Sequence, residues 1–152
     1  MSSQTFGHVP GTYVGQHFAN RIELSLSGVH PSRRSGISGS QREGAVSIVL
    51  SGVYEDDEDN GDVVVYTGQG GRNPDSGQQV ADQDLVKGNL ALAVSCRREL
   101  PVRVVRGAVP RSAHGPEEGY RYDGLYRVES YWQEPGHRGY LVWRYRLIRW
   151  EG

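Results

Sequence analysis

Two stretches hold residues able to do chemistry together, Tyr54-Glu55-Asp56-Asp57 and Tyr66-Thr67-Gly68, with Asn60-Gly61 between them. Asn-Gly accepts positive φ and predicts a hairpin turn. Residues whose numbers sum to about 121 then pair, which sets Tyr54 opposite Thr67 and beside Tyr66. Two phenol rings and a carboxylate loop share one mouth. An aromatic pair can sandwich a planar ring, and a carboxylate can accept hydrogen bonds from an exocyclic amine. A cytosine turned out of a duplex fits. Its N4 amine donates to Asp57, and its N3 and O2 accept from backbone N–H groups around Gly52 and Thr67. Thymine would present O4 lone pairs to the carboxylate and be repelled. The competing reading is an exposed acidic turn flanked by half-buried tyrosines, since Tyr favours strands and acids favour turns. The residues alone leave both open. A calcium loop fails on spacing: with Gly61 at the sixth position, Thr67 stands at the twelfth, where a bidentate Glu belongs.

A second candidate is the loop from His30 to Gly39, where the adjacent guanidiniums of Arg33 and Arg34 can reach phosphates or a groove. A solvated arginine pair is the plain alternative. Other chemistry is poorly supplied. Pro74-Asp75 with Asp84 and Lys87 only approximates a nuclease carboxylate–lysine set, because the gap from the second acid to the lysine is one residue too long. The histidines at 8, 17, 30, 114 and 137 form no i,i+4 pair, and Gly68-Gln69-Gly70-Gly71 lacks the Lys and Ser/Thr of a phosphate loop. No nucleophile stands at readable spacing from a base.

The elements that must position these residues read as strands. With 152 residues the chain is expected to be one domain with one core, spanning 1–152. No apolar run approaches the ~18 residues of a membrane helix, and the opening MSSQTFGHVPG has neither the basic nor the apolar region of a secretion signal. The one cysteine, Cys96, excludes an internal disulfide and a cysteine-based zinc site. Glycine, at 21 residues, and nine tyrosines favour strands and tight turns. Residues 13–20 predict a short helical turn, 21–26 (RIELSL) a half-buried strand ended by Gly28, and 45–54 and 62–68 the two arms of the hairpin. The segment 80–98 predicts the one convincing helix, broken near Gly88, with Asn89 capping its second half. Residues 101–109, 122–132 and 139–150 return to strands. The fold class is α+β, dominated by a curved, barrel-like antiparallel sheet with a few short helices.

Charge is unevenly spread beneath a net −1: residues 55–62 carry six of the 18 acids, and from Arg97 onward 11 arginines face 7 acids. That gives an electropositive background compatible with a polyanion. The excess of arginine over the single Lys87 suits a GC-rich, prokaryotic and cytoplasmic source as well as phosphate recognition.

Seven motifs in order, SGVH (27–30), GI-G (36–39), GVYEDDEDNG (52–61), YTGQGGR (66–72), PVRVVRG (101–107), RYDGLYRV (121–128) and YLVWRYRL (140–147), resemble the SRA domain, the SET and RING associated or YDG domain. The resemblance implies a saddle-shaped β-barrel that binds double-stranded DNA and flips 5-methylcytosine into a pocket, with no cofactor. It assigns Tyr54 and Tyr66 to stacking, Asp57 to the Watson–Crick edge, and Thr67 with the backbone at Ser51 and Gly52 to further polar contacts. Arg34 falls where the family's thumb side chain fills the vacated duplex, and Arg33 becomes a phosphate neighbour. Vertebrate members carry a longer finger with an arginine that reads the orphan guanine. The equivalent region here, 74–80, is shorter and offers Gln78 and Gln79. Gln69 stands where a small residue usually lies near the methyl group. Within the YDG triplet, Gly124 is expected to permit a turn and Asp123 to tie it down. In restriction enzymes such domains are joined to HNH or other nucleases, so the alternative is the specificity half of a modification-dependent endonuclease acting with a nuclease domain or partner chain. One buried methyl contributes about 0.8 kcal/mol, roughly fourfold, so phosphate contacts must supply most of the affinity.

Overall fold

The computed structural model describes residues 4–51, 57–108 and 114–150. Its strands are β1 (His17–Phe18), β2 (Ile37–Ser40), β3 (Gly44–Leu50), β4 (Glu58–Asp59), β5 (Val63–Thr67), β6 (Pro101–Gly107), β7 (Tyr120–Pro135) and β8 (Leu141–Arg149), with helices α1 (Arg21–Ser27) and α2 (Lys87–Arg97). They form one eight-stranded sheet in the order β2-β3-β6-β7-β8-β5-β4, with β1 on the flank of β7. Among the described residues this path does not close. All pairs are antiparallel except β3 with β6. The sixteen-residue β7 pairs with β6 along its first half and with β8 along its second, so it bends the sheet round. The α+β class with a twisted sheet is as the sequence indicates.

Both sides of the sheet are covered. Ile48, Leu50, Val64, Tyr66, Val104, Tyr126, Tyr145 and Leu147 pack with Leu92 of α2 in one cluster, and Leu24 of α1 packs with Phe18, Val29, Val49, Val105 and Tyr122 in another. Arg103 is wholly buried and has no carboxylate partner among the described residues. Its guanidinium donates instead to the carbonyls of Thr5, Gly7, Gly28 and Val29, which straps the N-terminal segment onto the sheet. Burial brings its pKa down to about 10.

Four local expectations are corrected. Residues 21–26 are helical, not a strand. Asn20 Oδ1 accepts from Glu23 N at 2.9 Å, Glu23 accepts from Ala19 N, and Gly28 closes the end with φ 85°. The apolar alternation misleads because only Leu24 is buried, while Ile22 and Leu26 face solvent. Residues 13–20 hold a turn and the short β1 where a helical turn is expected. Helix α2 begins only at Lys87, because the preceding segment lies along β8: Gln83 N donates to Leu141 O, and Leu141 N and Trp143 N donate to Asp82 Oδ1 and Gln83 Oε1. Asn89 is buried inside the helix and caps nothing.

The hairpin is the fourth. Residues Glu58 and Asp59 pair with Val65 and Val64, two positions along from the sum-of-121 pairing. Asn60 N donates to Val63 O, closing a four-residue turn around Gly61 at φ 80°. β3 pairs with β2 and β6 and leaves β5 to β8. A shift of two preserves the faces of the strands.

Candidate nucleic-acid interface

Thr67 closes β5, and its N–H donates to Asp57 Oδ1 at 2.6 Å. The Thr67 side chain is buried, and among the described residues its Oγ1 finds no hydrogen-bond partner. A buried hydroxyl left so is uncommon. It lies beside a carboxylate, as a site awaiting a polar ligand would. The next residues are held by amide side chains. Gly68 N donates to Trp143 O, Gly68 O accepts from Gln83 Nε2 at 2.7 Å, and the Asn89 carboxamide bonds both the N–H and the carbonyl of Gln69 at 2.8 Å. A Cβ on Gly68 would stand 2.6 Å from Asn89 Oδ1, so only glycine permits this approach. Nothing in the sequence pattern marks Gln83 or Asn89 for this role.

The described acids of the run are tied to the fold, although Glu58 and Asp62 remain exposed. Three arginines from the other end of the chain hold the run: Arg144 bonds Glu58 at 2.9 Å, Arg106 grips both oxygens of Asp59 at 2.8 Å, and Arg149 takes Asp62. Arg106 also reaches Gly61 O and, at 3.0 Å, buried Asp123, which in turn accepts from Arg121. Burial raises the Asp59 carboxyl, but the Arg106 bonds and the Gly61 N–H outweigh it and hold the group below the usual carboxylate range. The electropositive surplus of the C-terminal third is thereby largely consumed within the fold.

This revises the Tyr122-Asp123-Gly124 triplet. Gly124 makes no turn. It sits inside β7 at φ 103°, where Asp123 and Gly124 together oppose Val104 as a β-bulge. The bulge aims Asp123 at Arg106 and Arg121. Tyr122 bonds His8 Nδ1 at 2.7 Å, against the N-terminal strap.

Arg33 and Arg34 are exposed and make no hydrogen bond or ion pair with the other described residues. Their loop is nonetheless fixed. Arg21 Nη2 donates to Ser32 O and Ser35 O, and His30 reaches Ser35 O at 2.7 Å. A carbonyl only accepts, so His30 Nε2 carries the proton, and Nδ1 accepts from Ser47 Oγ at 2.7 Å. Burial, with help from the Arg21 and Arg103 charges, lowers its pKa to about 4. Its stabilising effect is therefore complete above the unfolded value near 6.5 and is lost as pH falls from there toward 4. The unfolding free energy should drop by about 3 kcal/mol over that window. Urea titrations at pH 7 and pH 4.5 of wild type and His30→Gln check this; the variant should lose the His30 share of the dependence.

Other site expectations land as follows. Tyr66 is 2% exposed, with its ring in the core and its hydroxyl donating to Gly36 O at 3.1 Å. Ser51 ends the described stretch beyond β3, whereas Tyr54 and Gly52 lie outside the described residues. Gln69 turns its amide to Ser35 Oγ. In the finger, Arg72 bridges Gln79, whose Nε2 binds Gly70 O and Ala81 O, while the side chain of Gln78 is exposed. No described helix is long and apolar enough to cross a membrane.

The family model of the SAD/SRA domain matches residues 5–152. This chain belongs to the SRA family. The E3 ubiquitin-protein ligase UHRF1 of Xenopus laevis is 44% identical over 168 residues, covering 97% of this chain and 22% of that protein. The Arabidopsis thaliana H3 lysine-9 methyltransferase SUVH5 is 44% identical over 158 residues, covering 99% and 20%. This SRA domain thus spans about a fifth of the curated relatives it matches. Among solved structures, the modification-dependent TagI restriction endonuclease superposes with a TM-score of 0.95 at 41% identity, over 100% of this chain and 54% of that one. The SUVH5 SRA in complex with hemimethylated CG DNA gives 0.81 at 47%, over 98% and 96%.

Proposed function

We propose that this SRA domain is a binding module, one unit over 1–152, that takes 5-methylcytosine out of double-stranded DNA into the pocket around Asp57 and Thr67. The observation that carries the reading is the Asp57 carboxylate seated on the N–H of Thr67, whose buried hydroxyl has no partner among the described residues. A cytosine edge supplies an amine donor for the acid and acceptors for N–H and hydroxyl donors; thymine does not. Tyr54 and Tyr66 supply the faces, and Ser51 and Gly52 further backbone contacts. SRA domains solved with methylated DNA support the same ligand. Fluorescence anisotropy on matched duplexes with cytosine, 5-methylcytosine or 5-hydroxymethylcytosine tests it. A methyl preference of roughly fourfold or more is expected, and equal affinity for all three would sink it.

The exposed arginines separate two roles. Arg33→Ala should flatten the log–log salt slope by about 0.9, one phosphate contact, with the methyl ratio unchanged. Arg34→Ala should weaken the methylated duplex selectively, since Arg34 fills the space the base leaves. Binding isotherms at several salt concentrations check both.

A second reading rests on the TagI likeness: this domain is the specificity half of a modification-dependent endonuclease, with a nuclease in the same protein or a partner. Incubating the full-length parent protein with methylated and unmethylated plasmid in Mg²⁺ distinguishes the two, since a reader alone leaves both intact. Such a reader works at the nucleoid in a prokaryotic cell and in the nucleus of a eukaryotic one.

A further inference from the structure

The arginine loop and the pocket strand come from distant parts of the sequence, and two side chains join them. One is Tyr66, whose hydroxyl bonds Gly36 O. The other is Gln69, whose Oε1 accepts from Ser35 Oγ at 3.2 Å. The single Ser35 hydroxyl proton has a nearer acceptor in Ile37 O at 2.9 Å. Turning the Gln69 amide over would let its nitrogen donate to the hydroxyl and keeps the link.

Gln69 has little choice of direction. Its N–H and its carbonyl are both taken by Asn89, and its amide nitrogen passes so close to Gly88 that a Cβ there would stand 2.8 Å away. At the other end, Ser35 O is fixed by Arg21 and His30. Each end of the link is therefore rigid.

We infer that Gln69 is a positioning residue: it struts the Arg33–Arg34 loop against the pocket strand, so that filling the duplex and capturing the base occur in one fixed geometry. This rests on the base-flipping reading above. A strut acts only on the flipped complex, so binding to a duplex with thymine at the target position, which the pocket rejects, is unaffected.

The test is a double-mutant cycle on Ser35→Ala and Gln69→Ala with a 2-aminopurine beside the target cytosine, whose emission rises when its neighbour leaves the stack. Each single variant should bind the methylated duplex roughly 2- to 12-fold more weakly, the worth of one hydrogen bond, and lose part of the emission. The double variant should be no worse than the Ser35 single. Ser35→Thr, which keeps the hydroxyl, should restore both readouts, and thermal melting of every variant reports folding separately. A silent Ser35→Ala with a Gln69→Ala that alters the ratio among cytosine, methylcytosine and hydroxymethylcytosine would overturn the strut and place Gln69 on the base. Additive losses would overturn it too. A wild-type domain with no emission change would overturn the flipping reading itself and the strut with it.

Discussion

Asp57→Asn should leave the domain folded while weakening its binding to methylated duplex by roughly 10- to 150-fold, the range for a hydrogen bond to a charged acceptor. The amide oxygen can still accept the Thr67 N–H that Asp57 Oδ1 takes at 2.6 Å, so the turn keeps its bond. Its NH₂ group now meets the cytosine amine, donor against donor. An amide that donates suits the O4 of thymine, so part of the lost discrimination should reappear as improved affinity for a thymine placed at the target position. Asp57→Ala removes the base contact and the Thr67 bond together, and should cost stability as well. Anisotropy on cytosine, 5-methylcytosine and thymine duplexes, with urea melts of both variants, separates the contributions. An unchanged affinity for the methylated duplex in Asp57→Asn would remove Asp57 from the site.

Arg106→Met should be the most damaging change outside the pocket. The Arg106 side chain is 4% exposed and bonds Asp59, Asp123 and Gly61 O. An apolar replacement strands the Asp123 carboxylate in the core with Arg121 alone. Removing one partner of a buried ion network costs about 3 to 5 kcal/mol, which lowers the Tm of a domain this size by roughly 6 to 20 °C. Arg106→Lys keeps the charge without the planar fork and should lose about half as much. Because the same guanidinium anchors the turn that carries Asp57, Arg106→Lys should also show weaker methyl discrimination at temperatures where it is fully folded. Calorimetry followed by anisotropy at 10 °C checks both; a discrimination unchanged in a loosened Arg106→Lys would mean that the pocket does not depend on the clamp.

These two residues mark the limits of what the sequence discloses. The sequence singles out Asp57 because a carboxylate between two tyrosines and beside a turn has a recognisable use, and because the YDG-type motifs run in order along the chain. Helix α1 was misread although its cue, Asn20 three residues before Glu23, was present; the alternation of Ile22, Leu24 and Leu26 spoke louder. The hairpin register missed by two, an even slip that keeps side chains on their faces.

Arg106 could not be found that way. Read along the chain, 55–62 is an acid run and the C-terminal third an arginine surplus, two unrelated charge features. The sheet order places β6 and β8 where their arginines enclose the turn between β4 and β5, and the opposite charges cancel. The sequence by itself determined the class of fold and the strands of the last third, because strand periodicity and turn chemistry are local. Only the tertiary structure decided that Asp123 is a buried anchor, that Gln83 and Asn89 hold the pocket backbone and that Gln69 reaches Ser35. The bonds concerned, Arg106 to Asp123, Gln83 to Gly68, Asn89 to Gln69 and Gln69 to Ser35, join residues 15 to 34 positions apart. Such contacts depend on how the strands are ordered, which no window of neighbouring residues encodes.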